Sequence, residues 1–421
     1  MPYRSLSAAA VAAGLLVVMT ACADDAVTGF TSTTALAAGP TSVVTPSVGP
    51  WARIVEGETG PGSRYALYIP LDWNGAAVFY AHGVRDADSP VDLRDQDQFY
   101  AIRDDLGARG FAFAYSSFSE NGFAVKDGAQ RTHQLRGVLA GQLPTPPQRR
   151  FLVGHSLGAG VALALAESYP AQYDGALLMC GMVGGSLVQT QYLGHVRALF
   201  DAYYAGALPG NVLGVPPGTV VTIPQVAAAV QSNPAALFAI ASIAQTPLPF
   251  VPIGNPTDPA SPAFQTMVGS LFGALSFHAR GINNVVELTH GFSPFDNATT
   301  VYALGTPILP APVLQPLVNF ANASVARYEM DPAARQYLER HFTPTGNLRI
   351  PVLTLHNTWD PAVPLFHEAE LLSRTQGAGA TGNLLQRTVP SFGHCAIPAA
   401  LAVQNFLDLV GWEASGVKPA A

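Results

Sequence analysis

Strands that alternate with helices predict an α/β protein with a mainly parallel sheet and helices on both of its faces. Two observations carry this. Continuous apolar runs at 76–81, 151–153 and 176–180 have the look of strands buried on both faces. Amphipathic stretches at 91–110, 129–143 and 365–375 separate such runs and read as helices. A third observation sets the architecture apart: from 185 to 347 the alternation stops, which predicts a large, mostly helical insertion.

In chain order, 53–58 and 63–69 read as strands joined by the turn Gly60-Pro61-Gly62. The buried run 76–81 ends in His82-Gly83-Val84, and 111–116 is a further apolar strand. At 149–169 a short strand stops at Gly154-His155-Ser156-Leu157-Gly158, and an Ala/Leu-rich helix follows until Pro170 forbids its continuation. Within the insertion, between Ser186 and Gly281, the only acidic or basic residues are Arg197, Asp201, Asp258 and Arg280. The apolar stretch 226–244 is broken by Asn233-Pro234, which makes it a poor membrane span. An apolar cap over a catalytic core fits this region, the alternative being a packing domain with no part in substrate choice. Alternation resumes with a strand at 349–355, a helix at 365–375, a strand at 384–389 and a closing helix at 397–410. The expected organisation is a leader at 1–22, a tether at 23–50, a core of 51–184 with 348–413, the cap at 185–347 and a tail at 414–421.

Composition narrows the function. Hydrophobic residues make up 49% and charged residues 12%, as in a globular domain able to bury a large core. Net charge is −7 without a long basic run, which argues against nucleic-acid binding. The cysteines, Cys22, Cys180 and Cys395, lie far apart with no C-x-x-C, so no metal site is expected, and nothing in the chain asks for a cofactor.

The chemistry centres on Ser156. A strand, a tight turn with glycine on either side, and a helix lift its hydroxyl above the sheet, the G-x-S-x-G elbow of a nucleophile. A serine hydroxyl needs a base, itself oriented by an acid. Two loops downstream supply them after expected strands: Asp360-Pro361-Ala362-Val363-Pro364 and Gly393-His394-Cys395. His341, His356 and His367 read as structural, Asp174 as facing the other end of the sheet, and Glu167 as a solvated helix residue.

With the serine elbow, the D-x-x-V-P loop and the final Gly-His, the chain resembles the α/β-hydrolase superfamily over 51–184 and 349–412. The resemblance implies Ser156 as nucleophile, His394 as general base and then acid, and Asp360 as the orienting acid, with the cap filling the long interval between Ser156 and Asp360. The oxyanion donors are expected to be Leu157 N–H and Val84 N–H, by similarity to the His-Gly-x loop of many esterases and lipases, with His82 and Gly83 supporting the loop. Cys180 ends a strand and Cys395 follows His394, so a disulfide at one sheet edge is conceivable in an exported protein; two free thiols are the alternative. The pair is similar to the tannase and feruloyl esterase group, where a disulfide ties the serine loop to a His-Cys pair. Here histidine, not cysteine, precedes Ser156, a departure from that pattern.

The charge-poor cap points to apolar or aromatic esters, small or polymeric, hydrolysed through an acyl-enzyme. A proline-specific exopeptidase on the same fold is the alternative, though holding a buried ammonium needs acidic partners, of which the cap offers few, among them Asp258, Glu287 and Asp296. A catalytically silent binding protein is a third reading. The leader carries Arg4 and an apolar run from Ala8 to Met19, then Met19-Thr20-Ala21-Cys22, similar to a bacterial lipobox. It predicts export with lipid attachment at Cys22, plain secretion being the alternative; contact with a membrane is expected only through that anchor. Incorporation of a palmitate analogue that disappears in Cys22→Ala is the expected outcome; a label that survives the substitution would exclude the anchor.

Overall fold

In the computed structural model of the chain, residues 42–249, 258–305 and 309–420 are described. The leader, Cys22 and most of the expected tether lie outside them. Nine strands pair into one sheet in the order β1-β2-β3-β5-β4-β6-β7-β8-β9. These are β1 (Val43–Val48), β2 (Trp51–Gly60), β3 (Ser63–Pro70), β4 (Ala76–Ala81), β5 (Ala112–Ser116), β6 (Arg149–His155), β7 (Gly175–Met179), β8 (Val352–Trp359) and β9 (Leu384–Phe392). From β5 to β9 every neighbouring pair is parallel, while β1, β2, β3 and β5 pair antiparallel.

The apolar runs read from the sequence are buried on both faces because alternate residues feed two different cores. In β4, Ala77, Phe79 and Ala81 pack with one cluster, while Ala76, Val78 and Tyr80 pack with the other. The first core is covered by α2 (Val125–Ala140), α3 (Leu157–Ser168) and α10 (Phe366–Gly377). The second is covered by α1 (Asp97–Ala108) and α11 (Ala399–Ser415). Helices on both sides of a mainly parallel sheet follow directly.

Between β7 and β8 run α4 (Ser186–Tyr203), α5 (Ile223–Ser232), α6 (Pro234–Ala244), α7 (Pro262–Leu288), α8 (Ala311–Ser324) and α9 (Pro332–Arg340). Helices α4 to α8 bury a third apolar cluster of their own. Among the described residues no single helix is long and apolar enough to cross a membrane. The apolar stretch at 226–244 turns by 107° between α5 and α6, at the Asn233-Pro234 break.

Three of the boundaries that differ from the sequence expectation have a clear physical cause. Strand β1 lies inside the stretch expected to be tether; it is an edge strand with every side chain exposed, held by backbone pairing to β2, which composition does not reveal. Helix α1 starts at Asp97 rather than near 91, because Asp92 and Asp95 bond the backbone N–H groups of Arg94 and Gln96 and compete with a helical turn. Strand β8 runs on to Trp359, still paired with β9 at Asn357 and Trp359, and so delivers Asp360 at its very end.

The turn at Ser156 depends on two glycines. A Cβ on Gly158 would lie 2.0 Å from the Ala81 carbonyl oxygen, and one on Gly154 would lie 2.1 Å from the Gly158 carbonyl oxygen. Both contacts are with backbone, which cannot rotate away. Gly158→Ala is therefore expected to cost about 3 kcal/mol or more, seen as a lower urea midpoint. Gly137→Ala, at a helix position that nothing approaches within 4 Å, should instead raise stability by about 0.5–1 kcal/mol.

Candidate active site

Strand β6 carries the chain to His155, and Ser156 then turns with φ 54° and ψ −123° before α3 begins. A non-glycine residue in this region costs on the order of 1–3 kcal/mol. The turn is held by Ser156 N–H donating to the Met179 carbonyl at 2.9 Å and by the Ser156 carbonyl accepting from Ala159 N–H at 3.1 Å. The hydroxyl is thus presented at the start of a helix, where Leu157 N–H is unpartnered within the helix.

His394 reaches Ser156 from the loop after β9. Its Nε2 lies 2.8 Å from Ser156 Oγ and accepts the hydroxyl proton, while its Nδ1–H donates to Asp360 Oδ2 at 2.7 Å. Asp360 is fully buried, and its other oxygen accepts from Ala362 N–H at 2.9 Å and Val363 N–H at 3.0 Å. The residues expected as nucleophile, base and acid therefore meet in one hydrogen-bonded row. Beneath the acid's loop, buried His356 donates from Nε2 to the Val363 carbonyl and from Nδ1 to Glu368 Oε1. Burial opposes protonation of His356, but Glu368 more than offsets it and holds the ring's pKa above its usual value. His356 and His367 occupy buried structural positions, the latter accepting Gly184 N–H. Asp174 bonds Arg150 N–H at the start of β6, away from Ser156. Glu167 differs from the expectation: it accepts the N–H groups of Thr345 and Gly346 and anchors the chain just before β8.

The loop after β4 closes the other side of the serine. His82 stacks on Phe118, with ring centroids 3.9 Å apart; its Nδ1 lies 2.6 Å from the Gly83 carbonyl oxygen and its Nε2 3.2 Å from that of Ser117, and the shorter contact assigns the ring's single N–H to Nδ1, donating to Gly83. Burial, helped by Arg85, pushes its pKa down to about 3, so the ring is neutral. Val84 lines the same cavity as Ser156 and Leu157. Gly83 N–H points elsewhere and donates to His155.

That cavity runs from Ser156 up between α4 and α7, lined by Phe123, Met182, Leu193, Phe277, Ile282 and Val285 among others. Helix α7 supplies direct contacts to the site. Phe277 sets its ring edge-on to His394 at 5.0 Å, Gly273 faces Pro361 next to the acid, and Asn284 accepts Phe123 N–H. At the rim, Arg280 pairs with Asp86 at 2.6 Å, both about half exposed. Phe277 carries no signal in the sequence, because nothing in the insertion fixes which helix face lies over the serine. His155 stood out only as a departure from cysteine.

The order serine, aspartate, histidine, the serine turn between β6 and α3, and the strand order define an α/β-hydrolase fold. The Esterase family model matches residues 107–259, about a third of the chain, including the serine turn, and the chain is esterase-like. Comparison with curated proteins finds no match. Among solved structures it is similar to feruloyl esterase B from Aspergillus oryzae, at 15% identity over 90% of this chain and 88% of that one, with a TM-score of 0.48. A ligand-bound form of the rice cell wall degrading esterase LipA from Xanthomonas oryzae shows 14% identity over 90% and 97%, TM-score 0.40. Candida Antarctica lipase A shows 15% over 90% and 82%, TM-score 0.43.

Cys180 and Cys395 form a disulfide, with Cα atoms 5.2 Å apart, joining the end of β7 to the residue after His394. Both cysteines hold positive φ, 44° and 55°, and Gly393 on the other side of His394 has φ 110°. The histidine loop is thus a tight turn fastened covalently to the sheet. The double variant Cys180→Ser/Cys395→Ser should lose about 2–5 kcal/mol of stability, and reductant should lower the wild-type unfolding midpoint but not the variant's. An equal response of the two proteins would show that the bond carries no stability.

Proposed function

We propose that the protein is a serine carboxylesterase acting on apolar or aromatic esters through an acyl-enzyme intermediate. The observation that carries this reading is the unbroken row from Ser156 Oγ through His394 to buried Asp360, at the floor of an apolar cavity. As Ser156 Oγ attacks the ester carbonyl carbon, its proton passes to His394 Nε2, and Asp360 stabilises the imidazolium through Nδ1–H. The negative charge on the former carbonyl oxygen is met by Leu157 N–H and Val84 N–H. His394 then returns the proton to the leaving alkoxide as the C–O bond breaks. In the second half a water attacks the acyl group, with His394 again taking and returning one proton.

In this reading α4 to α9 cap the core and choose the substrate. Two features favour an ester over a peptide with a free amino terminus. The cavity wall is mostly apolar, and its single carboxylate among the described residues, Asp86, is already paired with Arg280. A buried ammonium would find no partner there. The leader supports export, with Cys22 as a lipid anchor to a membrane.

Nitrophenyl acyl esters should be turned over and aminoacyl nitroanilides should not; turnover of the anilides alone would favour the exopeptidase, and turnover of neither the silent binding protein. Ser156→Ala should reduce kcat on the ester by roughly 10⁶-fold while the unfolding midpoint stays near the wild-type value. Ester hydrolysis at the wild-type rate in that variant would remove Ser156 from the mechanism.

A further inference from the structure

A tetrahedral oxyanion beside Ser156 needs a donor from the 82–84 loop to complement Leu157 N–H. Of that loop's N–H groups, those of Gly83 and Val84 flank the peptide that faces the serine, and the first is occupied: Gly83 N–H donates to His155 Nε2 at 3.1 Å. This bond also decides the state of the ring. Nε2 must hold the lone pair, so the ring proton sits on Nδ1, where it meets the hydroxyl of Tyr80. The other tautomer would set two N–H groups against each other. Burial lowers the pKa of His155 and keeps the ring neutral.

The following peptide is held from its other end. The Gly83 carbonyl accepts from His82 Nδ1, and in a trans peptide Val84 N–H points opposite to that carbonyl. The fit leaves no room for a side chain: a Cβ on Gly83 would lie 2.8 Å from His155 Nε2 and 3.3 Å from Ser156 Cβ. His155 ends the strand that carries Ser156, and β6 pairs with β4 as far as Gly154 opposite Ala81. Nucleophile and oxyanion loop are therefore referred to one rigid pair of strands.

We propose that His155 is a positioning residue for the oxyanion site: by taking Gly83 N–H on Nε2 it locks the 82–84 loop to the nucleophile's own strand and commits Val84 N–H to the developing charge. The role is exerted when negative charge builds on the carbonyl oxygen, so it belongs to kcat rather than to ground-state binding. The proposal rests on the serine esterase reading above.

Three variants of the full chain test it. His155→Asn puts an amide near the Nδ1 position, within reach of Tyr80 but not of Gly83; His155→Gln reaches Gly83; His155→Leu does neither. With p-nitrophenyl butyrate, Asn and Leu should lower kcat about 10- to 100-fold, less than the roughly 10²–10³ of a donor removed outright, with KM unchanged within about twofold. Phenylboronic acid, whose adduct with the serine places an oxygen on the same donors, should weaken by a similar factor, and Gln should restore most of both losses. The proposal is overturned if Asn, folded by thermal midpoint, keeps wild-type kcat, if KM rises as much as kcat falls while the boronate binds unchanged, or if Gln is as impaired as Asn. Should Leu fail to fold, the Asn and Gln pair decides. Labelling of wild-type Ser156 by a fluorophosphonate separates the two failures: an unlabelled wild type ends the esterase reading and the proposal with it, whereas a labelled wild type with unimpaired variants ends the proposal alone.

Discussion

The approach of Gly158 to the Ala81 carbonyl is the contact on which the rest of the site depends. It lets the first turn of α3 press against the end of β4, with a Cβ position only 2.0 Å from backbone oxygen. That seating brings the Ser156 turn beside the His82-Gly83-Val84 loop and places both at the carboxyl end of the adjacent parallel strands β4 and β6. A bulkier residue would lift the helix and separate the hydroxyl from the loop that faces it. The strained φ of Ser156 is then maintained by its neighbours, since Met179 and Ala159 fix the peptide groups on either side.

The core was legible in the sequence because its signals are local. A run such as 76–81 is apolar at every position since each of its faces meets a different core, and Pro170 marks where α3 must end. Ser156, Asp360 and His394 were readable because each follows a strand in a short, chemically biased loop. Contacts that depend on two distant segments were not. Phe277 meets His394 only because a 27-residue helix happens to be rotated with that face down. Glu167 looked like an ordinary solvated helix residue until the chain before β8 was seen to return over it. Strand β1 shows the same limit, for it owes its place to backbone hydrogen bonds that any sequence could make.

Electrostatics around the acid follow a consistent plan of burial with partners. Asp360 has no solvent exposure, yet its oxygens are occupied by two backbone N–H groups and a histidine. The His356–Glu368 pair below it spans β8 and α10, and through the Val363 carbonyl it fixes the peptide next to those donors. Thr354 and Gln386 both donate to the remaining oxygen of Glu368, Oε2, so the pair is not left incomplete. By contrast the insertion carries few charges and meets the core partly through shape, a ring edge at His394 and a bare glycine at Pro361, and partly through polar contacts such as Arg280 with Asp86 and Asn284 with Phe123 N–H.

The Cys180–Cys395 bond has a topological consequence. Its two ends stand 215 positions apart in the chain, and the loop between them contains every helix from α4 to α9 together with Asp360 and His394, while Ser156 lies outside it. A protease that cuts an exposed connection between those helices opens the polypeptide but releases nothing. The amino-terminal piece bearing the serine and the carboxy-terminal piece bearing the acid and base stay joined at the point where they meet. Under oxidising conditions, where the bond persists, a nicked molecule keeps Ser156, Asp360 and His394 in one covalent body.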